Sequence, residues 1–172
     1  MSPPERTFRL AQMSPQIVIF TNVLLALPIV FLAIAAFGSA VLVLPALLIV
    51  ALGLWVWLRM RPMLFVVDAD GVEVEWPLKR RRIQRADIAS VRLIDVATLR
   101  RELGFCMRVG VGGLFGAFGW LWSRRRGIVE MYVSRTDGLV WIERVSGRPW
   151  MITPEKPEAF VRELSVRPRG PA

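Results

Sequence analysis

The 172-residue chain has no histidine and a single cysteine, Cys106. Without imidazole there is no histidine-based acid–base or triad catalysis, and without several Cys or His ligands there is no zinc site. One cysteine cannot close an intrachain disulfide. Set between Phe105 and Met107, Cys106 reads as a buried free thiol, and as a nucleophile it would lack a base. No metal and no cofactor is expected. A third absence says more: from Gln16 to Leu58 no residue is charged, and the apolar run is broken near its middle only by Gly38-Ser39.

What fills that uncharged stretch is two segments, Ile17 to Phe37 and Ala40 to Leu58. Each is about the 20 residues that a hydrocarbon core about 30 Å thick requires of a helix. A secretory h-region is only about 7 to 15 residues long, which excludes a cleaved signal peptide. The remaining chain is too short to wrap two helices that are apolar on every face, which excludes a buried hairpin of a soluble protein. Residues 16–58 are therefore read as a two-span transmembrane hairpin. Ser14 is positioned as an N-cap with Pro15 at the first helical position, and Trp55 and Trp57 close the second span as interfacial anchors. Pro28 and Pro45 are expected to kink the spans.

Arginines fix the orientation. Arg6 and Arg9 precede the first span, Arg59 and Arg61 follow the second, and the connecting turn carries no charge, so both termini are expected in the cytoplasm at an inner membrane. Neither span holds an ionisable group, which argues against a transporter, channel or proton relay. Gly38, Ser39, Ala40 and Gly53 offer small surfaces for oligomerisation, but no small-xxx-small pattern specifies one. Oligomeric state stays open.

Residues 59–166 suffice for one small domain, preceded by an arm over 1–15 and followed by a tail over 167–172 that reads as frayed. The formal charge is +9. That excess points to an anionic partner, and for a tethered domain the nearest is the headgroup layer of the bilayer. Trp120, Trp122 and Trp141 could stack nucleic-acid bases, but a membrane-held domain meets lipid first and no nucleic acid is expected.

After Pro62 the pattern becomes short β-like runs. Met63 to Val67, an Asp68-Ala69-Asp70-Gly71 turn and Val72 to Trp76 form a hairpin, ended by Pro77. Arg80 to Ile83 and Ser90 to Val96 are further strands, with Ala86-Asp87-Ile88 a corner between them. Gly127 to Ser134 and Leu139 to Val145 form a second hairpin across Arg135-Thr136-Asp137-Gly138, and Ser146-Gly147-Arg148 returns the chain into Trp150 to Ile152. A helix follows, with Pro157 at its start and Phe160, Val161 and Leu164 on one apolar face. The expectation is about seven antiparallel strands and a C-terminal helix, a mostly-β α+β unit closing into a small barrel with the helix at an open end.

The order of these pieces resembles the bacterial pleckstrin-homology-like (PH-like) membrane protein family. The likeness is carried by the proline-containing arm before a two-span hairpin, the early F-V-V-D-A-D-G-V hairpin, Ile83 through Asp87-Ile88 and Val91, a glycine-rich middle, the Gly127 to Val133 strand, and the run Ile152-Thr153-Pro154-Glu155-Lys156-Pro157-Glu158-Ala159-Phe160-Val161. It covers nearly the whole chain. It implies a PH-like domain on the cytoplasmic face and no established enzymatic activity. The phosphate-binding basic residues usual around the first hairpin loop of PH domains are not matched, because this chain has Asp68, Asp70, Glu73 and Glu75 there.

Two segments stand out as candidate contact sites. Gly110 to Trp122 is apolar and glycine-rich, flanked by Arg108 and by Arg124, Arg125 and Arg126; its glycine spacing fits neither a dinucleotide fingerprint nor a phosphate loop. It reads either as an interfacial segment inserting Phe115, Phe118, Trp120 and Trp122 with the arginines reaching phosphates, or as strands packed on the sheet. Lys79, Arg80, Arg81 and Arg82, with Arg85, form the second cluster, either facing an anionic leaflet or charging an edge strand. A non-catalytic scaffold or binding module is expected, contacting a protein partner, the bilayer and its anionic lipid. The enzyme alternative needs converging carboxylates, such as Asp87 with Asp95 or Glu130.

Overall fold

The computed structural model describes residues 6–38 and 40–165. Two long apolar helices, α1 (Pro15–Ala36) and α2 (Val43–Arg59), pack against each other, and a short 3-10 turn (Ala40–Leu42) leads into the second. At 1.5 Å per residue the 22 residues of α1 extend about 33 Å, enough to cross a bilayer. The α2 residues turned inward include the small Ala46 and Gly53, while most other apolar side chains of both helices point outward. Ser14 occupies the N-cap position without a side-chain cap, its N–H donating instead to the Ser134 carbonyl at 3.1 Å. Pro28 lies inside α1, where it removes a ladder hydrogen bond. Pro45 was expected to kink its span as well, but it falls in the first turn of α2, where the missing N–H had no partner to lose. Ser39 and the tail over 167–172 lie outside the described residues.

Among the described residues, ten strands form two sheets. In the first, β1 (Arg6–Arg9), β2 (Leu64–Asp68), β3 (Gly71–Trp76) and β4 (Lys79–Gln84) pair in that order, all antiparallel. The second has the order β5 (Ile88–Ile94), β9 (Leu139–Arg144), β10 (Trp150–Ile152), β8 (Gly127–Val133), β7 (Ala117–Ser123), β6 (Cys106–Gly112). Helix α3 (Val96–Leu103) joins β5 to β6, and α4 (Pro157–Ser165) ends the described chain.

Three expectations are corrected. The strand count is ten rather than about seven, chiefly because β6 and β7 are formed by the glycine-rich middle and β1 by the arm. Within the arm, Arg6↔Val67 through Arg9↔Leu64 place β1 in the first sheet. The strands are not all antiparallel, and β8 and β9 are not hairpin partners. Trp150, Met151 and Ile152 enter between them, antiparallel to β9 and parallel to β8. The physical reason is burial. All three β10 residues are buried, and a strand this apolar gains most in the centre of a sheet, where both its faces are covered.

Alternation along the strands builds two cores. Between the sheets, Phe8, Phe65, Val72, Val74, Trp76 and Ile83 meet Tyr132, Val140, Ile142, Trp150 and Ile152, and α4 adds Phe160 and Leu164. Phe160 stands edge-on to Phe8 (5.3 Å) and Phe65 (6.2 Å). On the other face of the second sheet, α3 covers Leu121, Val129, Met131, Trp141 and Met151 through Leu103, Leu99 and Val96. The helix is delimited by chemistry: Asp95 accepts from the Thr98 N–H at 2.7 Å as N-cap, and Gly104, at φ +66°, ends it.

Candidate membrane-interface site

The β6–β7 turn is docked into the helical hairpin. It is closed by Gly113 N–H donating to the Gly116 carbonyl at 2.9 Å. Thr21, buried in the second turn of α1, donates its hydroxyl to the Gly113 carbonyl (3.0 Å) and accepts from the Phe115 N–H (2.9 Å). Buried backbone without a strand or helix partner must be satisfied by other protein groups, and one hydroxyl here satisfies two such groups. Phe115 is held at φ +60°, the one non-glycine residue with positive φ among the described residues. Its ring lies edge-on to Trp57 at 5.0 Å, beside Leu25 and Gly53 of the two helices. Arg61 stacks on the other side of this group, its guanidinium 4.3 Å from the Trp57 ring, and burial lowers its pKa. Gly116 is required by space: a Cβ there would stand 2.6 Å from the Val133 carbonyl oxygen.

From the docked turn the strands run outward. The inter-sheet face of β6, β7 and β8 starts covered, at Val111, Phe118 and Tyr132, and then emerges from under the first sheet. Phe118 is 0% exposed and Phe115 8%, whereas Trp120 is 49% and Trp122 40% exposed. Val109, Met107 and Ile128 are exposed beside these tryptophans, Val109↔Trp120 and Met107↔Trp122↔Ile128 being cross-strand neighbours. The expected aromatic quartet therefore divides: Phe115 inserts between the spans, Phe118 is core, and the two tryptophans form an open apolar face. Arg148 stands over Trp120, 5.9 Å from the ring.

The sequence model described as Bacterial PH domain matches residues 63–168. The chain belongs to this family. No curated protein and no solved structure matches it.

Within the PH domain the basic clusters are drawn largely into internal pairing. Arg80 contacts Glu75 (3.1 Å), and Arg82 pairs with Asp68 and Glu73, so the acidic residues of the first hairpin partner the arginines of β4. Arg81 turns to the inter-sheet face, where it makes two hydrogen bonds to buried Glu130 (2.5 and 3.2 Å) and lies over Trp150. Burial lowers the Arg81 pKa, but the bond and charge of Glu130 outweigh it and the net shift is upward. Arg85 donates to the Glu163 carbonyl of α4 at 3.3 Å. Lys79 remains at the membrane end of the sheet over Trp76, its pKa lowered by burial and then by the nearby Arg81 and Arg59. Trp76 in turn donates its indole N–H to the Met60 carbonyl at 3.0 Å, tying this corner to the end of α2.

Arg124, Arg125 and Arg126 close the opposite end of the β7–β8 hairpin, about 20 Å along the strands from the docked turn. Arg125 donates to the Arg101 carbonyl at the end of α3 (2.7 Å), and Arg126 lies near Glu102 (3.8 Å) and Glu143 (3.7 Å). Neighbours in sequence, the arginine triplet and the docked glycine turn are therefore far apart in space.

The carboxylates named for acid–base work are each held by different partners. Glu130 also accepts from the Tyr132 hydroxyl (3.0 Å), and burial raises the Tyr132 pKa. Asp95 caps α3. Asp87 is bound by the Ser146 N–H (2.7 Å) and hydroxyl (2.8 Å) and by Arg144 (2.5 Å), which together hold its pKa below the usual carboxylate value. Because the folded carboxyl is the stronger acid, its stabilisation is present above the unfolded carboxylate pKa and lost as pH falls through the folded value. Asp87→Asn is expected to remove that part of the acid-side slope, leaving stability below pH about 5 flatter than in the parent. Urea unfolding followed between pH 3 and 6 checks this; identical slopes in both proteins would refute it.

Thr21 escaped the sequence reading. Its signal was available: a hydroxyl among apolar residues, facing the inside of the hairpin.

Proposed function

We propose that this PH-domain protein is a non-catalytic binding module fixed to the cytoplasmic face of the inner membrane, with the exposed face of β6, β7 and β8 lying against anionic headgroups. The observation that carries the reading is the docked β6–β7 turn, which holds Trp120, Val109 and their neighbours on strands that begin at the level of the first turns of α1. Tryptophan favours that boundary, and Lys79 and Arg148 flank the face with cations that have no ion-pair partner among the described residues. Near an anionic leaflet each contributes about 1 kcal/mol at physiological salt.

The test uses the full chain in nanodiscs of phosphatidylcholine alone or with phosphatidylglycerol, followed by amide hydrogen exchange. Phosphatidylglycerol is expected to slow exchange in residues 105–110 and 120–130. The Lys79→Glu, Arg148→Glu double variant should abolish that slowing, and Trp120→Ser with Trp122→Ser should weaken it in both lipids. Exchange that ignores lipid charge would overturn the reading.

A second contact is favoured by β6 itself. It is the edge of a six-stranded sheet, seven residues long, with Met107 and Val109 exposed. Such an edge accepts a strand from a protein partner. A photocrosslinker at position 109 should then capture a protein neighbour in native membranes, and lysine at 107 should prevent it.

A further inference from the structure

We infer that the protein holds one acyl chain with an anionic head in the cavity between α3 and the outer face of the second sheet. This site lies on the opposite side of the sheet from the tryptophan face and does not depend on that face touching lipid. The cavity measures about 410 Å³, within the range of small-molecule sites. Its walls are apolar: Val96 and Leu99 of α3 face Leu121, Met131 and Val133 of the sheet. The space exists because α3 has only eight residues and the sheet beyond it carries Gly110, Gly112, Ala117 and Gly119 on β6 and β7, with no side chain large enough to fill it. Ile17, in the first turn of α1, and the docked residues Gly113 and Gly116 form the membrane end, so a chain enters from the bilayer boundary.

The polar lining is of one sign. Arg100, Arg108 and Arg135 line the cavity, and no aspartate or glutamate does. Arg108 runs back along β6 toward the membrane end, its Nη1 lying 2.8 Å from where a Cβ on Gly112 would be. Arg135 Nε is buried with no hydrogen-bond acceptor, and its nearest carboxylate, Asp137, is 3.8 Å away and exposed. That nitrogen has no surface open to the cavity, so the cations within reach of an anionic head are the exposed Arg100 and Arg108, whose N–H groups a carboxylate or phosphate oxygen accepts from. Apolar walls, these two guanidiniums and an opening beside the bilayer together specify an anionic amphiphile, as either a free fatty acid or an intact anionic phospholipid. Cys106 lines the same cavity and gives a native probe of its occupancy.

The full chain in phosphatidylcholine nanodiscs is irradiated with a diazirine-bearing palmitate, a diazirine-bearing phosphatidylglycerol, or a neutral diazirine-bearing monoacylglycerol. The anionic probes are expected to label peptides of α3 and β8 at least tenfold more than the neutral one and to slow maleimide modification of Cys106 at least fivefold. Labelling by palmitate identifies a free fatty acid, and labelling by phosphatidylglycerol a bilayer lipid. Arg100→Glu with Arg108→Glu, both exposed positions, should cut labelling tenfold, and Leu99→Trp should abolish it by filling the cavity while the melting temperature shows the fold intact. Label confined to the two spans, or equal label from the neutral probe, would overturn the inference.

Discussion

Replacing Thr21 with valine is expected to raise the exchange rate of the Phe115 amide about 30-fold or more and to weaken the joint between hairpin and domain. Valine keeps the shape of the side chain and removes its hydroxyl, so the half-buried Gly113 carbonyl and the buried Phe115 N–H both lose their partner. Each unsatisfied buried group costs about 1–3 kcal/mol, which puts the total for two at about 2–6 kcal/mol. Thr21→Ser retains both bonds and should stay close to the parent, losing only a methyl group. Hydrogen exchange in nanodiscs separates the cases. If valine and serine behave alike, the hydroxyl is not what holds the turn. Phe115→Gly provides a control in the opposite sense: it removes the ring from beside Trp57 but relieves the positive φ.

The second large effect is expected at Arg81. Arg81→Met leaves Glu130 buried with only the Tyr132 hydroxyl to bond it, and breaking a buried pair from one side typically costs about 3–5 kcal/mol. Arg81 is about two-fifths exposed, so solvent screening places the expected loss near the lower end, about 3 kcal/mol. The double variant Arg81→Met, Glu130→Gln should recover most of it, because the uncompensated carboxylate is then gone. Urea unfolding of the four proteins gives the coupling directly; a double variant as unstable as Arg81→Met alone would assign the loss to packing on Trp150 instead.

Local signals in the chain were read with success where chemistry and geometry coincide within a few residues. The D-G turn at Asp70-Gly71 does join β2 to β3, Ser146-Gly147-Arg148 does return β9 into β10, and Pro157 does begin a helix that buries Phe160 and Leu164. Long-range choices were hidden. Nothing in Arg6-Thr7-Phe8-Arg9 announces a strand, since four residues hold one alternation and the partner lies beyond two membrane spans. The insertion of β10 between β8 and β9 depends on which neighbour best covers three apolar residues, a tertiary matter. Helix α3 was within reach, because Asp95 and Gly104 bracket it as N-cap and C-cap, but its charge-rich sequence resembles a loop. In the candidate site, composition left the Gly110 to Trp122 segment open between an interfacial and a packed reading, and the strands divide it, with Phe118 buried and Trp120 and Trp122 exposed. The separation of Arg124–Arg126 from the glycine turn was not legible, because a hairpin puts the two ends of one short segment at opposite ends of a sheet.

The pairing of β1 with β2 has a mechanical consequence. The two strands leave the hairpin from its opposite ends and are hydrogen-bonded side by side, so the whole two-helix hairpin is topologically a loop inserted between adjacent strands of one sheet. Strands in register stand about 4.8 Å apart, and they clamp the bases of α1 and α2 at a fixed separation. A domain hung from one linker would swivel freely against the helices; one whose sheet is joined to them at two points cannot turn without shearing that ladder. Its heading relative to the hairpin is thus built into the covalent order of the chain, and any force that spreads or tilts the two helices is delivered straight to the first sheet.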